Sequence, residues 1–412
     1  MEEVKKRIIK HRHLSIFVIG AIIFIIYYSQ PTPQTYAANV VETVVPEESY
    51  EPEEPYLQKF DSLISKKIEN TNTVGGALVV INNGDISLLK CYGVKRVGSK
   101  DSVNKSTVFR LASVSKGFAG ILAGILNDEK TLNLDDKVIK YIPEFCLKDS
   151  INTYSLTIRH LLSHSTGLVP HAYDNMVEHF VPFNEIMSKL NEVDIAGPPG
   201  MYYGYQNVMF SIFDTIAVLS TSKSYKELLQ EKIFQPFHMD NASAGYEAFK
   251  NNDNKAYPHR GSPAKYFEKP INARYYNTLP AAGVNASIMD LANYMLAITS
   301  NDTSLLNDSI KNTVFSPQIR SYVRYKYFRC WADVEAVYYG LGWRIVKSRE
   351  KTILYHGGYV DGYRADIAIC LEDKTGIAFL TNSPSEVSSE SIPAFWDLYY
   401  QNLENQERIS SN

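Results

Sequence analysis

A serine three residues ahead of a lysine can support acyl-transfer chemistry, because a nearby amine can take the hydroxyl proton as the oxygen attacks a carbonyl. The pattern is short and recurs along this chain, at Ser102–Lys105, Ser220–Lys223, Ser262–Lys265 and Ser348–Lys351 as well as Ser113–Lys116. The first four lie in charged or polar connectors. Ser113–Lys116 is set apart by the residues downstream of it. Phe118, Ile121, Leu122, Ile125 and Leu126 recur at i, i+3, i+4, i+7 and i+8, the spacing of a helix with one apolar face. Ala119, Gly120, Ala123 and Gly124 keep its other faces small, so the helix can be buried nearly all round. The spacing places Ser113 in the first turn, where free backbone N–H groups favour developing negative charge. Lys116 stands one turn on, on the same face. Burial there would make it lose its proton more easily and act as a base.

The string Phe109-Arg110-Leu111-Ala112-Ser113-Val114-Ser115-Lys116 resembles the penicillin-binding protein and class C β-lactamase-like family of serine hydrolases, which includes esterases and D-amino-acid peptidases. The resemblance runs from about residue 60 to 400. It continues in Thr157 to Leu168 (TIRHLLSHSTGL), in Pro199-Gly200 ahead of Tyr205-Gln206-Asn207, in Pro280-Ala281-Ala282-Gly283 with Asp290-Leu291, and in Tyr339-Gly340-Leu341-Gly342-Trp343. Gln206 stands where the family usually has Ser or Ala. A literal Lys374-Thr375-Gly376 matches the family's third motif, but it falls in the turn of the last hairpin with too little chain after it. His356-Gly357-Gly358 fits better, after an apolar run and before that hairpin, where glycines let a substrate lie against the strand backbone.

The resemblance implies an acyl-enzyme on Ser113. Lys116 and Tyr205 would share the proton, and Asn207 would hold Lys116 and touch the substrate. The backbone N–H groups of Ser113 and Tyr359 would form the oxyanion hole. His356, Gly357 and Gly358 would line the substrate. Without the motif lysine, a substrate carboxylate would be held by His356 only when protonated, which favours esterase-like or peptidase-like activity over efficient β-lactam hydrolysis. The substrates implied are esters, amides, β-lactams or D-amino-acid, peptidoglycan-like peptides. The competing function is a non-catalytic, membrane-tethered ectodomain that binds peptidoglycan or a partner. His160 and His164 are spaced like metal ligands but lack the Glu of H-E-x-x-H, and are read as structural. No metal or cofactor is implied.

These residues need a frame. A helix-like stretch (Phe60, Leu63, Ile64, Ile68) leads to apolar runs at 75–81 and 86–92 joined by Asn83-Gly84, a hairpin signal. A second hairpin is expected from 367–371 and 377–381, with a last helix carrying Phe395, Trp396, Leu398, Tyr399 and Leu403. Between them the chain reads as helices, at 157–164, 206–219, 225–234 and 289–298. Strands from both ends with helices between imply an α+β, β-lactamase/transpeptidase-like fold, an antiparallel sheet flanked by helices with an all-helical insertion. Its cleft is the natural active site. Residues 241–277 read as a long polar loop bordering that cleft. The run 320–329 interleaves bases with aromatics and reads as an exposed strand or cleft rim.

Ahead of this frame, residues 1–13 are basic and residues 14–28 almost wholly apolar, the layout of an export signal. Either a cleaved signal peptide, with Thr35-Tyr36-Ala37 as cleavage tripeptide, or a retained anchor over 14–29 fits. Both place the rest outside the cytoplasm, in the periplasm or its equivalent. Four regions are expected: 1–29 signal or anchor, 30–56 acidic Pro-rich linker, 57–405 catalytic domain and 406–412 polar tail. Net charge is −3, with 45% hydrophobic and 21% charged residues, so the chain is globular and no nucleic-acid partner is expected. Oligomeric state is left open. Cys91, Cys146, Cys330 and Cys370 lack metal-ligand spacing and read as free thiols, with a disulfide open in an oxidising compartment.

Overall fold

The computed structural model describes residues 50–322, 328 and 330–410. The first hairpin is β1 (Gly75–Asn82) and β2 (Asp85–Gly93). Asn83 and Gly84 both take positive φ, 55° and 84°, the two-residue turn whose twist matches the strands. Five short strands come next: β3 (Phe109–Arg110), β4 (Ser243–Ala244), β5 (His259–Ser262), β6 (Lys265–Glu268) and β7 (Val284–Ala286). The last third adds β8 (Ile319–Ser321), β9 (Val334–Tyr339), β10 (Arg344–Ser348), β11 (Lys351–Val360), β12 (Tyr363–Cys370) and β13 (Thr375–Thr381).

The two ends of the chain build one antiparallel sheet in the order β2-β1-β13-β12-β11-β10-β9-β8. Gly76 lies opposite Thr381 and Ile81 opposite Gly376, so the first hairpin is completed by the last strand. β1 and β13 are buried almost throughout, which is why both read as unbroken apolar runs rather than alternating ones. The long helices are α1 (Pro55–Asn70), α2 (Ser115–Asp128), α3 (Asn207–Thr221), α4 (Ile288–Thr299) and α5 (Val387–Ser410). On one sheet face Phe60 and Ile64 of α1 and Phe395 and Trp396 of α5 share a core with Leu78, Val80, Ile377 and Phe379. On the other, Ala77, Val79, Ile367 and Leu380 share a core with α2, α3 and α4.

The small residues of α2 have a specific use. A Cβ on Gly120 would stand 1.9 Å from the carbonyl oxygen of Leu341, and Gly342, at φ 77°, lies against the carbonyl of Lys116. The β9–β10 connection therefore rests directly on the helix that carries Lys116. Gly120→Ala is expected to cost about 1–3 kcal/mol through overpacking. It should lower the urea midpoint with the m-value unchanged. An unchanged midpoint would mean the connection slides aside freely.

Several expectations shift. Residues 50–54, expected in the linker, pack on the first hairpin: Tyr50 pairs its backbone with Leu89 on edge strand β2, Glu51 approaches Lys90 at 3.5 Å, and Asn82 donates to Glu54 at 2.7 Å. Residues 241–277 hold β4, a helical turn at Tyr246–Lys250 and the β5–β6 hairpin, whose strands are too short and polar to show a period. The tail is not separate, because α5 runs on to Ser410. Of the 320–329 run, β8 ends at Ser321 and Tyr322 is exposed, while 323–327 and 329 lie outside the described residues. The basic and apolar segment 1–29 and most of the linker also lie outside them. Among the described residues no helix is long and apolar enough to cross a membrane, and all four cysteines are free.

Candidate active site

Ser113 stands not in α2 itself but in the 3₁₀ turn Ala112–Val114 that feeds it. Ala112 has φ 47°, a left-handed conformation that costs energy for a residue with a side chain and often occurs at functional sites. The turn is anchored on β7, where Leu111 N–H donates to Val284 O at 3.0 Å and Val284 N–H donates to Ser115 Oγ at 2.9 Å.

Lys116, on the first turn of α2, is fully buried. Its Nζ lies 2.8 Å from Asn207 Oδ1, 3.0 Å from Ala281 O and 3.3 Å from Ser113 Oγ. Burial pushes the lysine well below its usual range, Asp174 opposes this, and Arg344 adds to it. Lys116 Nζ donates to all three oxygens as a cation; in the neutral amine two N–H groups can serve Asn207 and Ala281, which leaves the lone pair for the Ser113 proton. Tyr205, in the loop entering α3, donates its hydroxyl to Ser113 Oγ at 2.9 Å. Its ring is clasped by His164 at 4.3 Å and His171 at 5.5 Å. Asn207 opens α3 and so faces α2. Gln206 is buried and bonds the carbonyl of Val169, so it ties this loop to the turn after Ile158–Leu162.

The third expected element sits on β11. A Cβ on Gly358 would lie 2.3 Å from Leu111 O and 2.9 Å from Ser113 N, so only glycine lets the strand touch the serine turn. Tyr359, the next residue, is exposed. Gly357 instead faces Tyr355 and Asp366. His356 departs from the expected carboxylate clamp. It is 1% exposed, and burial, with Arg344 and Lys116 nearby, holds it well below the usual histidine range. Its Nε2 lies 3.0 Å from Tyr339 Oη and its Nδ1 3.0 Å from Gly357 O. It is therefore a neutral residue of the wall. The literal Lys374 lies in the β12–β13 turn, whereas Gly358 pairs with Ala365 at the other end of β12. That separation is about 20 Å at strand rise.

His160 and His164 do not converge on a metal. His160 completes the capping box of Ile158–Leu162, and His164 sits in an aromatic cage of Tyr205, Phe210 and Tyr339. No cluster of three His, Cys, Asp or Glu able to hold a metal ion occurs among the described residues.

Two charged residues at the site give no signal in the sequence. Arg344 on β10 is 5% exposed, donates to Tyr203 Oη at 3.2 Å, and places its guanidinium 5.7 Å from the Tyr205 ring centroid. Asp174 accepts from Asn207 Nδ2 through both carboxylate oxygens, at 3.1 and 3.0 Å. A buried arginine looks like any strand arginine in sequence, and Asp174 sits in a weakly patterned segment.

A serine joined to a buried lysine and a tyrosine, beside the part of β11 that runs past the end of β10, is an arrangement that can support acyl transfer. Similarity to known proteins places the chain in a family. The Beta-lactamase family model matches residues 60–400, and the chain belongs to that family. Protein flp of Staphylococcus aureus (strain MRSA252) is 24% identical over 368 residues, covering 86% of this chain and 68% of that protein. Beta-lactamase-like protein 2 of Dictyostelium discoideum is 24% identical over 377 residues, covering 84% of this chain and 65% of its own. Among solved structures, the octameric penicillin-binding protein homologue from Pyrococcus abyssi superposes with a TM-score of 0.69 at 22% identity, over 82% of this chain and 76% of that one. The β-lactamase/transpeptidase-like α+β fold is thereby established.

Proposed function

We propose that the protein is an exported serine hydrolase that forms an acyl-enzyme on Ser113. The observation that carries this is the contact of Ser113 Oγ with both Tyr205 Oη, at 2.9 Å, and the buried amine of Lys116, at 3.3 Å. Ser113 Oγ attacks the carbonyl carbon and its proton passes to the Lys116–Tyr205 pair. The backbone N–H groups of Ser113 and Tyr359 receive the oxyanion. The same proton then goes to the leaving alkoxide or amine, and water repeats the sequence to release the acid. Arg344 supplies a fixed positive charge beside the Tyr205 ring, but it is buried on β10 and bonded to Tyr203. With His356 neutral, β11 brings no cation of its own to a substrate carboxylate. That supports uncharged esters and amides ahead of carboxylate-bearing β-lactams or D-amino-acid peptides.

The test is labelling of the full-length protein by a fluorescent fluorophosphonate and, separately, a fluorescent penicillin. Fluorophosphonate labelling supports the hydrolase. A folded protein that takes neither probe is the non-catalytic binding ectodomain instead. Lys374→Ala is expected to leave the labelling rate within a few-fold, since it lies at the far end of the sheet. A collapse in that variant would place the third motif at 374. Export rests on the basic-then-apolar residues 1–29, and recovery of the protein in the cytoplasmic fraction of its native cell would sink that half.

A further inference from the structure

We propose that Asp174 is a positioning residue of this site, fixing the Asn207 amide so that its oxygen faces Lys116 and setting a carboxylate one amide away from that amine. This rests on the reading of Lys116 as the base.

The geometry is a chain of contacts from the surface inward. His171 Nδ1 meets Asp174 Oδ2 at 2.8 Å, and the His171 side chain is exposed. Asp174, at the start of the short helix Asp174–Glu178, takes both contacts from Asn207 Nδ2. Asn207 Oδ1 then accepts from Lys116 Nζ at 2.8 Å. An amide can turn over and present either end, but only one end can donate to a carboxylate. Asp174 therefore decides which atom Lys116 meets. Without it, an inverted Asn207 would set its N–H groups against the amine.

The same carboxylate balances the charges around Lys116. From β10 comes the guanidinium of Arg344, which disfavours a second positive charge, and from β11 the neutral ring of His356. His164, also held neutral by burial, approaches after Ile158–Leu162. Tyr205 comes from the loop before α3 and Ser113 from the 3₁₀ turn. Tyr275 lies near Asp174 and donates to Glu178 at 3.1 Å, so a second carboxylate borders the first. Within this set Asp174 is the negative group that acts against burial at Lys116. It keeps the amine from being permanently neutral, so the proton taken from Ser113 has somewhere to rest.

Removing the negative charge lowers the Lys116 midpoint, and the base form appears at lower pH. The test is the pH titration of the Lys116 ¹³Cε signal in the full-length protein labelled at lysine, assigned by its loss in Lys116→Met. In Asp174→Asn the midpoint is expected to fall by about one pH unit or more, as for loss of a nearby opposite charge. Asp174→Ser provides a second uncharged variant should the first not fold, and Asp174→Glu is expected to restore the midpoint. A purely structural role would leave the titration where it was. An unmoved midpoint in either folded, uncharged variant overturns the proposal. The titration needs no turnover. A shifted midpoint in a protein that takes no fluorophosphonate would sink the hydrolase reading alone, while labelling with an unmoved midpoint would sink this one alone.

Discussion

Ser113→Ala is expected to abolish fluorophosphonate labelling and lower kcat/KM on any ester substrate about 10⁵-fold or more, the scale seen when a nucleophile is removed. The structure explains why no neighbour can take over. Ser113 is held where Ala112, at φ 47°, turns the chain into α2, and where Gly358 of β11 abuts its backbone nitrogen. Another hydroxyl would need to reach both the strand edge and the Lys116 amine. Ser115, two residues on, is fully buried and accepts from Val284 N–H. The substitution removes one oxygen and leaves the anchors on β7 untouched, so the variant should melt with the parent. Loss of labelling together with loss of folding would show a structural serine. Retained labelling would mean a different nucleophile.

Tyr205→Phe is expected to reduce kcat about 10²- to 10⁴-fold, the range for loss of an acid–base group. The phenylalanine ring keeps the contacts with His164 and His171, so the lost atom is the hydroxyl 2.9 Å from Ser113 Oγ. The variant should still be labelled, slowly, because Lys116 remains within 3.3 Å of the serine. Stopped-flow acylation with a chromogenic ester separates the outcomes. A fall of less than tenfold would assign the proton transfer to Lys116 alone. In the parent protein the acylation rate should rise with pH through the Lys116 midpoint, which burial sets well below the ordinary lysine value. Lysine must be neutral to accept the proton, so the rate is lost on the acid side.

Legibility in the sequence varies with the range of the interaction. The first hairpin is plain, because Asn83-Gly84 is a local turn signal and both flanking runs are apolar. The helix after Ser113 is plain for the same reason, although its true start is Ser115 and the serine sits in a 3₁₀ turn. The β5–β6 hairpin is not, since four-residue polar strands carry no usable period. The last part of the acidic stretch is not legible as structure, because Tyr50 and Glu54 are held by the first hairpin, a contact with no trace in local sequence.

The site divides along the same line. Sequence alone determined the residue types and spacings: Ser113 with Lys116 one turn away, Tyr205 and Asn207 astride a helix start, and glycines on β11 in the right order before the last hairpin. Tertiary structure decided what those groups can do. Burial between α2, α3 and the turn at Leu279–Ala282 moves the proton affinity of Lys116, and burial likewise turns His356 from a possible cation into a neutral wall residue. Arg344 arrives from β10 and Asp174 from a short helix well before Asn207, each meeting the site only through tertiary packing. Spacing along a chain reports which residues share a face. Charge and solvation depend on what packs against that face, and the packing partners come from far away in sequence.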